Sequence, residues 1–228
     1  MYLVNTRPDI FFVVNTLSQF QVEPRQEHWI AAKHVLRYIR GTINYGLIFT
    51  ASSDIQLHGF IDSDWVGSAE DRKSTSGMCF SLGSAMISWG NREQKSVALS
   101  TAEAEYMAAC EACTEAVWLR KLISDLFDQN PDSTIIYCDN QSCIRLSKHP
   151  VFHERSKHIE IKYDFIQDKV QEGEVKLEYI PTDEQTADIL TKPLSRIKFA
   201  YFRDKLGIVE ITPLAEREEM TLQVGREH

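Results

Sequence analysis

The chain has 228 residues, with 25 Lys and Arg against 33 Asp and Glu, 43% hydrophobic residues, 10 Gly and 7 Pro. This composition is ordinary for a folded protein and excludes disordered, collagen-like and low-complexity chains. Because no segment reaches the roughly 18 consecutive apolar residues of a membrane span, no membrane partner is expected. An N-terminus without a secretory pattern and an odd number of cysteines, five, predict an intracellular protein, cytoplasmic or nuclear and not secreted, with reduced thiols.

The net charge of −8 is concentrated in one part of the chain. Residues 51–143 carry six basic and fourteen acidic side chains, whereas residues 1–50 carry five and three. Such a balance does not favour nucleic-acid binding, which depends on Lys and Arg. An acidic block of this kind is either a solvated surface or a source of ligands for a cation, and composition alone leaves both interpretations open.

The N-terminal half predicts a helical hairpin followed by strands. Apolar residues recur at helical spacing over residues 8–22 and again over 27–40. Four extended segments then follow, and turn residues separate them, which predicts an antiparallel meander. These segments cover residues 45–49, 55–61, 77–82 and 85–89.

A long helix begins near Ser100, where Ser followed three residues later by Glu103 is the signature of a capping box. Strands and helices then alternate, with strands predicted over 134–138 and 175–180 and helices over 141–146, 157–171, 183–191 and 195–206. The order predicts an α/β layer fold with a mixed sheet. We expect Trp65, Trp89 and Trp118 in the core. Residues 211–228 are predicted to be a disordered tail.

Four acidic residues occupy positions at which such a fold gathers side chains. Asp62 ends the first meander strand, and Asp139 follows an apolar strand at its carboxyl end, where open α/β sheets place their sites. Glu105 falls within the apolar stripe of the long helix, whereas Glu103 is expected to point away from it. Asp188 opens a short helical segment. Each residue alone is more often a cap or a solvated strand end.

Taken together, the four carboxylates suggest a metal site. Carboxylates that face a core repel one another unless a cation pairs them, and Mg²⁺ prefers oxygen ligands. Two such ions can activate a water and stabilise the leaving oxygen in phosphodiester hydrolysis.

Several motifs resemble the ribonuclease H domain of copia-type retrotransposon Pol polyproteins, and the resemblance spans residues 2–210 in order. Its residues are Phe60–Trp65, Arg72–Gly77, Ala98–Ala108, Tyr137–Ser142 and Thr186–Lys192. The hairpin, with Thr6–Ile10 and Val35–Thr42, resembles the end of the upstream reverse transcriptase region. The resemblance therefore implies three parts: residues 1–50 from the reverse transcriptase region, residues 51–210 as the ribonuclease H-like domain, and the tail.

The resemblance implies a ribonuclease H-like fold, in which a five-stranded mixed sheet has helices on both faces. It assigns Asp62, Glu105, Asp139 and Asp188 as catalytic residues and ligands of two Mg²⁺ ions, with Mn²⁺ as an alternative. The implied reaction is endonucleolytic hydrolysis of the RNA strand of an RNA–DNA hybrid. Reverse transcriptase or other Pol-derived chains are further candidate partners. Candidate substrate contacts, equally interpretable as caps and turn residues, are Ser100, Thr101, Asn140 and Gln141.

Two differences from the ribonuclease H and reverse transcriptase motifs limit the activity that is expected of the chain. The segment before Asp188 has no histidine of the kind that many cellular ribonucleases H carry, so product release or proton handling can differ. The polymerase motif Tyr-x-Asp-Asp is absent, so no DNA synthesis is expected from these residues. The order Asp, Glu, Asp, Asp argues against an integrase or transposase.

A catalytically silent transposon remnant, at most a binding module, remains the alternative to an enzyme. For the enzyme, the acidic block predicts weak affinity for the hybrid and a strong dependence on divalent metal.

Overall fold

The structure, a computed structural model, describes residues 2–50, 56–67, 72–128, 131–148 and 157–211, with the backbone alone over 157–163. Apart from Ile211, the predicted tail therefore lies outside the described residues. Within these described ranges the chain forms seven strands: β1 Tyr45–Leu47, β2 Leu57–Asp64, β3 Thr75–Leu82, β4 Ala85–Glu93, β5 Thr134–Cys138, β6 Val175–Tyr179 and β7 Ile208–Glu210. The α-helices are α1 Phe11–Ser18, α2 Gln26–Gly41, α3 Thr101–Phe127, α4 Gln141–Lys148, α5 Lys157–Gln171 and α6 Arg196–Lys205.

Five of the strands form one mixed sheet in the order β4-β3-β2-β5-β6. The pairs β4 with β3 and β3 with β2 are antiparallel, whereas β5 pairs parallel with both β2 and β6. Because β2 and β5 run parallel side by side, their carboxyl ends meet at one edge of the sheet. Asp62 and Asp139 lie at that edge.

Helices cover both faces of the sheet. On one face, α3 packs its small and apolar residues against Ile61, Phe80 and Ile136, and Cys110 and Cys113 are buried in this cluster as small core residues. On the other face, Leu190, Phe202 and Leu206 pack against Cys79 and Met86. Alternation along each strand sends neighbouring residues to opposite faces, as Cys79 and Phe80 show. The predicted mixed sheet with helices on both faces is therefore confirmed.

The first strand differs from the predicted meander. Instead of joining the five-stranded sheet, β1 pairs antiparallel with β7 in a separate two-stranded sheet, with Gly46 opposite Val209. The pattern of residues 45–49 identified a strand but not its partner, because alternation records burial and not which strand lies alongside.

The N-terminal hairpin packs on the rest of the molecule. The Trp89 indole donates a hydrogen bond to the Val4 carbonyl at 3.0 Å, and Phe11 packs against the second core cluster. Within the hairpin, the Arg7 guanidinium binds both carboxylate oxygens of Asp9 at 2.9 and 2.7 Å, and the pair is buried. Residues 2–50 thus pack against residues that follow the predicted domain boundary at residue 50.

Two side-chain expectations were wrong. Trp65 and Trp118 are 44% and 56% exposed rather than core residues, and Trp89 is half-buried. The Trp65 indole reaches the Ala98 carbonyl at 3.1 Å, so its polar group is satisfied at the surface. All five cysteines lie in the described part of the chain, where they are buried and form no disulfide. None of the helices in the described ranges combines the length and apolar character that crossing a membrane requires.

Candidate metal centre

The four predicted carboxylates come from four different elements and meet beyond the carboxyl ends of the central strands. Asp62 lies near the end of β2, and Asp139 directly follows β5. Glu105 lies in the second turn of α3, and Asp188 lies in a 3-10 turn, Thr186–Leu190, between β6 and α6. The fold therefore brings together residues that are far apart in the sequence.

Glu105 is held at both of its carboxylate oxygens. The Ser63 backbone N–H donates to Oε1 at 2.9 Å, and the Cys138 thiol faces Oε2 at 3.9 Å. Burial raises the pKa of the Glu105 carboxyl well above its usual range, and the nearby charges of Asp62 and Asp139 raise it further. A buried carboxyl among like charges gains from a nearby cation.

Asp139, which follows β5, is held by a residue that follows the neighbouring strand β6. The Thr182 hydroxyl, in the turn after β6, donates to Asp139 Oδ2 at 2.7 Å. Glu105, Cys138 and Asp139 each place one potential ligand atom within 4.8 Å of the others. This spacing is compatible with their binding one metal ion.

Asp62 and Asp188 form a second, buried pair of carboxylates. The Thr191 hydroxyl donates to Asp62 Oδ2, and the Lys192 ammonium lies 3.4 Å from Asp62 Oδ1 and 2.9 Å from Asp188 Oδ1. Burial, with the charge of Asp62 next, raises the pKa of Asp188 to about 7, although Lys192 opposes the shift. One ammonium thus lies between two carboxylates that repel each other.

The donor set fits a hard divalent cation. Four carboxylates contribute oxygen ligands, and Lys192 supplies a single positive charge among them, so the cluster keeps excess negative charge when all four are ionised. Burial first and this repulsion second raise the pKa values of Glu105 and Asp188, and Mg²⁺ or Mn²⁺ would stabilise the ionised carboxylates. The fold therefore places four carboxylates that repel one another near the carboxyl ends of β2 and β5.

The four predicted substrate contacts lie at the starts of α3 and α4 and differ in what they bind. Ser100 is the N-cap of α3, and its hydroxyl accepts from the Glu103 N–H at 3.2 Å. Asn140 Oδ1 accepts from two N–H groups at the start of α4, each at 3.0 Å. Thr101 and Gln141, the first residues of these helices, are exposed. Ser100 and Asn140 thus act as caps in this structure.

Sequence reasoning missed Lys192, Thr191, Thr182 and Cys138. Lys192 follows Asp188 by four residues, and that spacing is a signal that could have identified the ion pair. Cys138 precedes Asp139, so strand alternation gave no reason to place both at one site. The capping role predicted for Glu103 is confirmed: its carboxylate accepts from the Leu99 N–H at 2.8 Å, and the residue is 3% exposed.

Sequence comparison finds relatives among plant transposon polyproteins. The chain is 41% identical over 212 residues to the retrovirus-related Pol polyprotein from transposon RE2 of Arabidopsis thaliana, covering 93% of this chain and 15% of that protein. It is 42% identical over 206 residues to the corresponding polyprotein of transposon TNT 1-94 of Nicotiana tabacum, covering 90% of this chain and 15% of that protein.

Among solved structures, the N-terminal RNase H domain of a Mycobacterium tuberculosis protein aligns with 66% of this chain and 98% of its own, at 13% identity and a TM-score of 0.45. No family model matches the sequence.

The sheet order, the helices on both faces and the position of the carboxylates define the class as a ribonuclease H-like fold. The chain is homologous to a segment of the retrovirus-related Pol polyproteins of copia-type transposons, and it spans about 15% of the length of the relatives described above.

Proposed function

We propose that this chain is a metal-dependent ribonuclease H that cuts the RNA strand of RNA–DNA hybrids endonucleolytically. The observation that carries the proposal is the convergence of Asp62, Glu105, Asp139 and Asp188 at the carboxyl edge of the sheet. Three of these carboxylates are buried and Asp139 is half-buried. Clustered carboxylates of this kind are costly for stability unless a cation pairs them, and phosphodiester hydrolysis is the chemistry that paired divalent ions assist. The homology of the chain to Pol polyproteins supports the same assignment.

In this proposal the four carboxylates would hold divalent metal through their oxygens. Mg²⁺ held there would supply Lewis-acid chemistry, activation of a water and charge stabilisation of the leaving oxygen. The chain itself contributes positioning: Ser63 and Cys138 orient Glu105, and Thr182 orients Asp139. Fixing these carboxylates before metal arrives reduces the conformational entropy lost on binding.

The hybrid is proposed to approach over the starts of α3 and α4. A hybrid is recognised by its groove shape and its 2′-hydroxyls, which suit short polar side chains. Thr101 and Gln141 are exposed there, and Ser100 and Asn140 lie beside them as caps. We assign all four as candidate contacts.

We also propose the division of the chain into residues 1–50 from the reverse transcriptase region and 51–210 as the ribonuclease H-like domain. The motif resemblance supports it, although the hairpin packs closely on the domain. A reverse transcriptase or another part of the polyprotein is the proposed protein partner.

Cleavage of a labelled RNA–DNA hybrid with Mg²⁺ tests the proposed activity. Asp139→Asn keeps the shape of the side chain but removes a carboxylate charge, so the rate is expected to fall by about two orders of magnitude. Asp204→Asn, the same change at an exposed residue of α6, is expected to leave the rate unchanged. If the wild-type chain cuts no hybrid at any Mg²⁺ or Mn²⁺ concentration, the proposal fails and the chain is a silent remnant.

A further inference from the structure

Lys192 occupies the solvent side of the buried carboxylate pair. Its Nζ lies 2.9 Å from Asp188 Oδ1 and 3.4 Å from Asp62 Oδ1. The Lys192 side chain is 32% exposed, whereas each of the two carboxylate side chains is 3% exposed. The ammonium therefore lies between the pair and the solvent from which a cation arrives.

Asp62 is engaged at both oxygens by consecutive residues of one segment. Thr191 donates to Oδ2 and Lys192 contacts Oδ1. A divalent cation bound at either of these carboxylates would lie close to the ammonium, and the two positive charges repel at short range, so the Lys192 contacts oppose metal binding. Lys192 and an incoming metal ion therefore compete for the same oxygens.

Another lysine in the same region provides a comparison. Lys198 pairs with Asp183 at 2.7 Å, but those side chains are 46% and 84% exposed. Exposed pairs of this kind contribute little to stability, because water screens the attraction and ordering two long side chains is costly. The Lys192 contacts differ because both of their carboxylates are buried, where removal of a partner leaves uncompensated charge.

We infer that Lys192 is a built-in counterion that stabilises the metal-free carboxylate pair and is displaced when a divalent cation binds Asp62 and Asp188. The inference rests on the proposed function only in taking these two residues as metal ligands. Lys192 is a positioning residue: it holds Asp62 and Asp188 close together before metal binds. It also lowers the apparent affinity for the metal, because its own contacts must be broken first.

Calorimetric titration of MgCl₂ into the full chain at pH 8 tests the inference. Lys192→Met removes the competing charge, so the Mg²⁺ dissociation constant is expected to fall about tenfold or more. Lys192→Gln keeps hydrogen-bond donors without the charge and is expected to tighten binding in the same direction. Lys192→Arg keeps the charge and is expected to resemble the wild type. Lys198→Met removes the exposed ion pair and is expected to leave the dissociation constant within about twofold.

Thermal unfolding in EDTA supplies a second readout that does not depend on activity. Lys192→Met is expected to unfold at a lower temperature than the wild type, and added Mg²⁺ is expected to raise its midpoint by more than that of the wild type. Lower stability together with tighter metal binding is a combination that a merely structural lysine does not produce. If Lys192→Met does not fold, Lys192→Gln replaces it in this measurement, after circular dichroism has confirmed that Lys192→Gln is folded.

Two outcomes would overturn the inference in distinguishable ways. If Lys192→Met and Lys192→Gln bind Mg²⁺ no more tightly than a wild type that does bind it, the counterion role is wrong and the proposed metal site survives. If neither the wild type nor any variant binds Mg²⁺ or Mn²⁺, the inference fails together with the proposed function.

Discussion

At the scale of single residues, the candidate site is a set of carboxylates whose ionisation is opposed by burial and by one another. Glu105 and Asp188 both have raised pKa values for these two reasons. Asp64, beside Asp62 on β2, also has a raised pKa, with burial as the main cause. Such a site stores unfavourable electrostatic energy, which only a cation or protons can relieve.

The stability of the metal-free chain is expected to fall as pH rises from about 4 to 7. The native Asp188 carboxyl holds its proton up to a pKa of about 7, whereas the unfolded chain releases it near the ordinary value of 3.8. The native state therefore binds more protons in this window, and the free energy of unfolding decreases by at most about 1.4 kcal/mol per pH unit.

Urea denaturation in EDTA across this range measures the slope. Asp188→Asn cannot ionise and is expected to flatten it, whereas Asp204→Asn is expected to keep it. An unchanged slope in Asp188→Asn would show that this carboxyl does not carry the pH dependence.

At the scale of elements, the position of Asp188 depends on close packing between β3 and the turn that carries it. Gly77 lies opposite Asp62 in the β2–β3 ladder. A Cβ at Gly77 would lie 2.4 Å from Thr191 Cγ2 and 3.2 Å from Leu190 Cβ. The absence of a side chain at Gly77 is thus what lets the Thr191 hydroxyl reach Asp62.

Gly77→Ala is expected to displace this turn and weaken both folding and the site. Overpacking of this kind costs about 1–3 kcal/mol of unfolding free energy. The rate of hybrid hydrolysis should fall by more than the loss of folded protein explains, because Asp188 and Thr191 move with the turn. Gly41→Ala is the matched control: Gly41 ends α2, and a Cβ there has no neighbour within 4 Å. Equal stability of the two variants by urea denaturation would contradict the packing argument.

At the scale of the whole molecule, the N-terminal hairpin and the mixed-sheet domain share a core. Tyr45 and Leu47 pack in the same cluster as Phe202 and Ile208, near the contact of Phe11 with that cluster. The Ile48 N–H also donates to the Gly207 carbonyl at 3.3 Å. The predicted boundary at residue 50 therefore separates apolar side chains that pack together and backbone groups that pair.

Removal of residues 1–44 is expected to destabilise residues 45–211 by about 3 kcal/mol or more, because apolar side chains of the second cluster and the Trp89 indole lose their partners. The measurement is the urea midpoint of the truncated chain. Adding residues 1–44 as a separate peptide should recover part of the loss. A truncated chain as stable as the full one would show that the hairpin is an independent appendage.

The sequence predicted some elements closely because their signals are local. The run Thr134–Cys138 and the helix Lys157–Gln171 have the predicted bounds, since apolar alternation and helical spacing reflect nearby residues. The partner of β1 was missed because β7 lies at the other end of the described chain. The capping role of Glu103 was predicted, but its burial was not, because burial depends on how the segment before the helix packs.

By itself, the sequence determined the order of elements, the α/β class and the four carboxylates that the fold then brings together. Local periodicity, capping and motif spacing carry that information, because each depends on residues close together in the chain. Only the tertiary structure decided which carboxylate oxygen each neighbouring side chain contacts. Examples are the Cys138 thiol facing Glu105 and the Lys192 ammonium lying between Asp62 and Asp188. The physical reason is that pairing and charge compensation depend on distances between segments, and periodicity within one segment does not record those distances.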